Sequence, residues 1–130
     1  MIYIDSCVLI YLLEDDGVLG QRAKAVFAGA REELAISPLV TLECLVRPLR
    51  LSDRALLEKY AAVFAELTML DIDAPAYLHA AELRAATPGL RTVDALHLAT
   101  AQLGGCTQLW TNDRRLAAAS GIFAVDVMSA

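Results

Sequence analysis

The sequence is poor in cysteine and carries an odd number of them: Cys7, Cys44 and Cys106, far apart and set among apolar neighbours. No C-x-x-C pair occurs, so neither a zinc site nor a disulfide framework is indicated, and three buried, reduced thiols are expected. Positive charge is also scarce, with 11 Lys and Arg against 16 Asp and Glu and a net charge of −5. This excludes broad electrostatic capture of nucleic acid, which needs a basic surface. It leaves room for an enzyme whose acidic site is inverted in charge by a bound metal. Nine of the 11 basic residues are Arg, the side chain better suited to bidentate phosphate contacts. No apolar run is long enough to span a bilayer, and the first residues lack the basic flank and cleavage site of a signal peptide. A soluble, cytoplasmic chain with no membrane partner is therefore expected.

Apolar side chains are abundant, 57% of 130 residues. That is enough for one domain, residues 1–130, with a single core that covers a sheet on both faces. Ile2-Tyr3-Ile4 reads as a buried parallel strand that stops at Asp5. Ser6 is the expected N-cap of an apolar helix over 7–13, and a second helix is predicted over 19–31. Leu34 to Ser37 reads as a strand, with Ser37-Pro38 starting a helix over 39–49 whose Leu39, Leu42, Leu45, Val46 and Leu49 share one wide face. Ser52 is expected to cap a helix over 53–67, with Leu56, Tyr60, Val63, Phe64 and Leu67 inward. A strand over 68–72, helices over 74–85 and 92–103, a strand over 108–111, a helix over 113–119 and an edge strand over 123–125 complete the chain. Strands alternating with helices imply parallel βαβ units and a three-layer α/β fold.

Four acids stand out against this frame: Asp5, Glu43, Asp94 and Asp113. Asp5 ends a strand, where open α/β sheets collect their chemistry. From Asp94 the chain descends a helix by roughly 15 Å. The following strand then climbs back by roughly 16 Å, so Asp113 returns to the layer that Asp94 left. Glu43 lies at the border of its helix's apolar face, where it must lean outward or be held by a cation. Each acid also has an ordinary explanation. Asp94 could serve a helix dipole, Asp113 could be an N-cap, Asp5 could be a turn acid, and Glu43 could pair with Arg47. Together, however, they form a cluster of like charge at one rim that needs neutralising, and Mg²⁺ or Mn²⁺ suits oxygen ligands.

The stretches Ile2-Tyr3-Ile4-Asp5-Ser6, Ser37-Pro38-Leu39-Val40-Thr41-Leu42-Glu43, Thr92-Val93-Asp94-Ala95-Leu96-His97-Leu98-Ala99-Thr100-Ala101 and Leu109-Trp110-Thr111-Asn112-Asp113-Arg114-Arg115-Leu116 resemble, in order and spacing, those of the PIN-domain family and its VapC-like toxin ribonucleases. The resemblance implies a five-strand parallel sheet ordered 3-2-1-4-5. It places the family's acidic quartet on Asp5, Glu43, Asp94 and Asp113, with hydroxyl-bearing neighbours at Ser6 and Thr111. It further implies one or two Mg²⁺ or Mn²⁺ ions, with Asp5 and Asp94 as central ligands, and hydrolysis of RNA phosphodiesters leaving a 5′-phosphate. The partners it implies are a second copy of the chain and a small VapB-like antitoxin, whose Arg could enter the acidic pocket. Alternatives are a PIN-like scaffold without catalysis and an RNA-processing enzyme without an antitoxin. A receiver domain is disfavoured because no lysine follows Lys59, and an aspartate-nucleophile phosphatase because Cys7 stands where its second acid belongs. His97 is better explained as a packed residue than as a ligand or base. Trp110 is better explained by core packing than by stacking on a base. Arg47, Arg50, Arg54 and Lys59, and likewise Arg114 and Arg115, could meet RNA or only solvent.

Overall fold

Ile2–Ile4 form β1, whose Tyr3 and Ile4 are completely buried and whose backbone is paired on both sides. On one side β1 runs parallel to β2 (Leu34–Ile36), with Tyr3 opposite Ala35. On the other it runs parallel to β4 (Gln108–Thr111), with Ile4 opposite Trp110. β3 (Thr68–Met69) adds beyond β2 and β5 (Ala124–Asp126) beyond β4, giving the order β3-β2-β1-β4-β5 in a computed structural model that describes residues 1–129. All pairs are parallel, as the alternation of strands and helices requires. The family resemblance implies the same order.

The connecting helices are α1 (Ser6–Glu14), α2 (Val18–Gly29), α3 (Pro38–Arg50), α4 (Arg54–Ala65), α5 (Ala74–Ala86), α6 (Thr92–Leu103) and α7 (Arg114–Ser120). None is long and apolar enough to cross a membrane among the described residues. α6 is buried over eight consecutive residues, Asp94 to Ala101, so it runs as an inner helix. α2 approaches the end of α1 so closely that a methyl on Gly20 would lie 1.7 Å from the Asp15 carbonyl oxygen, which only glycine permits. Trp110 is buried, edge-on to Phe27 with ring centroids 6.4 Å apart, and belongs to the core.

Three local expectations are corrected. Asp5, not Ser6, caps α1, its carboxylate accepting from the Ser6 N–H at 2.8 Å. Asp53, not Ser52, caps α4. Ser52 instead takes a left-handed turn (φ 51°) that closes α3, with Asp53 N–H donating to the Pro48 carbonyl at 2.9 Å. α3 buries Val40, Cys44 and Pro48, while Leu42, Val46 and Leu49 are 60%, 43% and 60% exposed. The helix thus carries two apolar faces, and the more regular one is outside.

All three cysteines are free thiols; Cys44 and Cys106 are buried as expected, whereas Cys7 is only partly buried, at the wall of a cavity. Burial, and next the nearby Asp5 charge, push Cys7 up to about 12. Burial, followed by the Glu43 charge, does the same for Cys44, also to about 12. Between an ordinary thiol value near 9 and 12 the folded chain keeps protons that the unfolded chain releases. Stability is therefore full below that window and falls as pH rises through it, by roughly 1.4 kcal/mol per pH unit for each group. A urea midpoint that drops between pH 8 and 10.5, with DTNB labelling of buried Cys44 at pH 8 no faster than the chain opens, is the expected result.

Candidate acidic active site

β1 and β4 lie side by side where the chain turns outward in both directions, the switch point of an open α/β sheet. Asp5 leaves β1 there, its N–H donating to the Trp110 carbonyl at 2.9 Å. Thr111, the last residue of β4 and fully buried, donates from Oγ1 to Asp5 Oδ2 at 2.7 Å and accepts the Asp113 N–H at 2.9 Å. One hydroxyl therefore sets the spacing between the first and last acids. Asp113 in turn caps α7, its Oδ1 accepting from the Arg115 N–H at 2.8 Å.

α6 brings the third acid. Asp94 is in its first turn and only 7% of its side chain is exposed. His97, one turn later, faces the same way, as residues three apart on a helix do. His97 is 1% exposed and meets Glu43 of α3, Nε2 to Oε1 at 2.6 Å, with Asp5 Oδ1 at 3.7 Å from the same nitrogen. A carboxylate oxygen can only accept, so Nε2 carries the proton and donates to Glu43 whatever charge the ring bears. The other ring nitrogen, Nδ1, lies 2.7 Å from the Tyr3 hydroxyl, which is also 2.7 Å from Ser37 Oγ. Burial raises the Tyr3 phenol well above its ordinary value, so it stays protonated and available to this chain of bonds. His97 is thus packed, and also bonded to the site.

Asp5, Glu43, Asp94 and Asp113 all line one cavity of about 220 Å³, so the structure brings the whole predicted quartet together. The ordinary explanations hold at the same time for three of them, since Asp5 and Asp113 are N-caps and Asp94 sits at a helix start. The Glu43–Arg47 pair does not form; Arg47 bonds to Glu14 instead, at 3.3 Å. Ser6 and Cys7 are at the same wall. A larger cavity, about 480 Å³, lies beyond Leu90 against Arg115, Ala118 and Ala119 and contains none of the four acids.

One residue was not read from the sequence. Arg91 donates from Nε to Asp94 Oδ2 at 2.7 Å, and from Nη2 to Asp94 Oδ1 at 3.3 Å and Asp113 Oδ2 at 2.8 Å. Its guanidinium is held above its already high ordinary value, first by the hydrogen bond to Asp94. The available signal was its place three residues before Asp94 at a helix start.

The donor set fits a hard divalent cation. Four carboxylates from four segments face one cavity against a single guanidinium, a formal excess of three negative charges. Asp5, Glu43 and His97 bring one polar atom each within 4.8 Å of one another. With Nε2 carrying a proton toward Glu43, the donors to an ion there are the two carboxylates, and Asp94 and Asp113 stand outside this group. Oxygen donors dominate, as Mg²⁺ or Mn²⁺ requires.

The family model for the PIN domain matches residues 2–122. No curated protein matches the sequence. Among solved structures, the chain resembles a toxin–antitoxin complex from Klebsiella pneumoniae at 22% identity and a TM-score of 0.80, covering 98% of both chains. It resembles VapC20 of Mycobacterium tuberculosis, a sarcin-ricin loop cleaving toxin, at 18% identity and a TM-score of 0.78, covering 92% of this chain and 95% of that one. It also resembles FitAcB from Neisseria gonorrhoeae at 17% identity and a TM-score of 0.76, covering 98% of both. At such identities the likeness shows the fold.

Proposed function

This chain belongs to the PIN-domain family, and from that premise we propose that it is a Mg²⁺- or Mn²⁺-dependent endoribonuclease, the toxin of a VapBC-type pair. The carrying observation is the convergence of Asp5, Glu43, Asp94 and Asp113 on one cavity at the sheet's switch point. These four residues would hold the ion. When bound, it supplies a polarised phosphoryl oxygen and a water acidic enough to attack at neutral pH. The chain's own part is positional. Thr111 and the Ser6 N–H fix both oxygens of Asp5. His97 holds Glu43 by one oxygen. Asp113 is tied by its Oδ1 to the start of α7.

The toxin assignment is supported by the relatives in toxin–antitoxin complexes, and it implies an antitoxin that covers this cavity in the cytoplasm. A homodimer is proposed as well, through the outward face of α3, where Leu42, Val46 and Leu49 leave an apolar stripe open. Purified protein freed of antitoxin is expected to cleave single-stranded RNA with Mn²⁺ or Mg²⁺ and to stop in EDTA. Cleavage that persists in EDTA, or none with either ion, would overturn the proposal, and the second result would favour a scaffold that only binds a partner.

A further inference from the structure

The four acids are held in two different ways. Asp5 and Glu43 are held by groups that cannot leave: the Ser6 N–H, fully buried Thr111 and His97, which is 1% exposed. Asp94 is held by Arg91 alone. Both its oxygens accept from that guanidinium, and among the described residues no other hydrogen bond reaches them. The free oxygen of Asp113, Oδ2, accepts from the same side chain, while its Oδ1 is used by the cap of α7. Arg91 is 55% exposed, whereas Asp94 is 7% exposed. The guanidinium can therefore rotate away into solvent without unpacking anything, and the carboxylate cannot follow. Arg91 also stands at the N-cap position of α6 yet makes no capping bond there. Its side-chain hydrogen bonds are wholly with the two acids.

We propose that Arg91 is an exchangeable internal counterion: it occupies Asp94 and Asp113 when no divalent cation is bound, and it must release both before they can serve as ligands. The inference rests on the reading of these acids as a divalent-cation site and adds to it a built-in competitor. With the guanidinium forked across Asp94 and bonded to Asp113, a second cation brought to the same oxygens meets like-charge repulsion. The apparent affinity for the ion therefore falls in proportion to the fraction of molecules in which Arg91 is away. If Arg91 holds the pair in about nine molecules of ten, removing it tightens ion binding about tenfold. Lysine keeps the charge but presents one compact ammonium, which cannot fork across Asp94 and reach Asp113 as a guanidinium does. Arg91→Lys should fall between.

The test is direct titration with Mn²⁺ by calorimetry, on wild type, Arg91→Gln and Arg91→Lys, followed by thermal melts of each with and without saturating Mn²⁺. The expected result is a Kd about tenfold lower in Arg91→Gln than in wild type, with Arg91→Lys intermediate. Without ion, Arg91→Gln should melt below wild type, because Asp94 is left buried without a partner. With Mn²⁺ that gap should close. Equal or weaker Mn²⁺ binding in Arg91→Gln, with wild type binding normally, would overturn the counterion role and leave the metal-site reading standing. Failure of every protein to bind Mn²⁺ would overturn both. Should Arg91→Gln not fold, Arg91→Lys decides: tighter binding than wild type supports the exchange, and equal or weaker binding overturns it.

Discussion

Asp94→Asn is expected to lower RNA cleavage by three orders of magnitude or more, a loss of about 4 kcal/mol of transition-state stabilisation at 1.36 kcal/mol per tenfold. The substitution is isosteric, so the packing of an inner helix buried from Asp94 to Ala101 is kept. It also retains one acceptor for Arg91, although the second bond of the fork is lost. What disappears is a negative charge on the most buried-facing oxygen pair in the cavity. Asp5→Asn should behave alike, because Asn still offers an oxygen to the Ser6 N–H and keeps the cap of α1. Its bond with Thr111 is lost or reversed, which adds a small stability cost. Asp113→Asn should cost less than either. Its side chain is 26% exposed, against 10% for Asp5 and 7% for Asp94, so solvent screens its charge more. Circular dichroism should be unchanged in all three. Near-native cleavage in both Asp5→Asn and Asp94→Asn, with native spectra, would remove the acids from the chemistry.

Much of this was legible in the sequence because it depends on element order. A strand ending at Asp5, a helix beginning near Asp94 and a strand ending before Asp113 must return to one rim of a parallel sheet, whatever the details of packing. The details are what periodicity does not carry. α3 has apolar residues spaced for a helix on two faces. Nothing in the spacing says that Val40, Cys44 and Pro48 rather than Leu42, Val46 and Leu49 meet the sheet. Ser37 stands at the N-cap of α3 as its place before Pro38 implies, but its hydroxyl turns to Tyr3, 34 positions away, and Ser52 is spent on a left-handed turn. Like charge at the rim is also partly offset from within the chain. Arg91 already neutralises part of the rim, through a contact to Asp113 that spans 22 positions and is set only by the tertiary fold. Four carboxylates against one guanidinium still leave an excess of charge, so the metal reading survives with a smaller deficit to fill.

The second large effect is expected one step behind the acids. His97→Leu should reduce kcat at saturating Mn²⁺ by about ten- to a hundredfold, the usual cost of removing a group that orients a metal-binding carboxylate. Glu43 then keeps its charge and loses its only bonded protein partner among the described residues, 2.6 Å away in the native chain. Tyr3→Phe should give a smaller loss by the same route, since its hydroxyl touches His97 and Ser37 and no acid. The Phe ring fills the same space. Stability should fall by about 1–3 kcal/mol as Ser37 and Nδ1 are left buried without their partner. The combination separates positioning from mere support of the fold. If Tyr3 acts through His97, adding Tyr3→Phe to His97→Leu lowers kcat no further, although urea denaturation still registers the double change. Were Tyr3→Phe to cut kcat by the same factor in both backgrounds, the hydroxyl would act independently of the ring, and the chain from Ser37 through Tyr3 and His97 to Glu43 would be structural only.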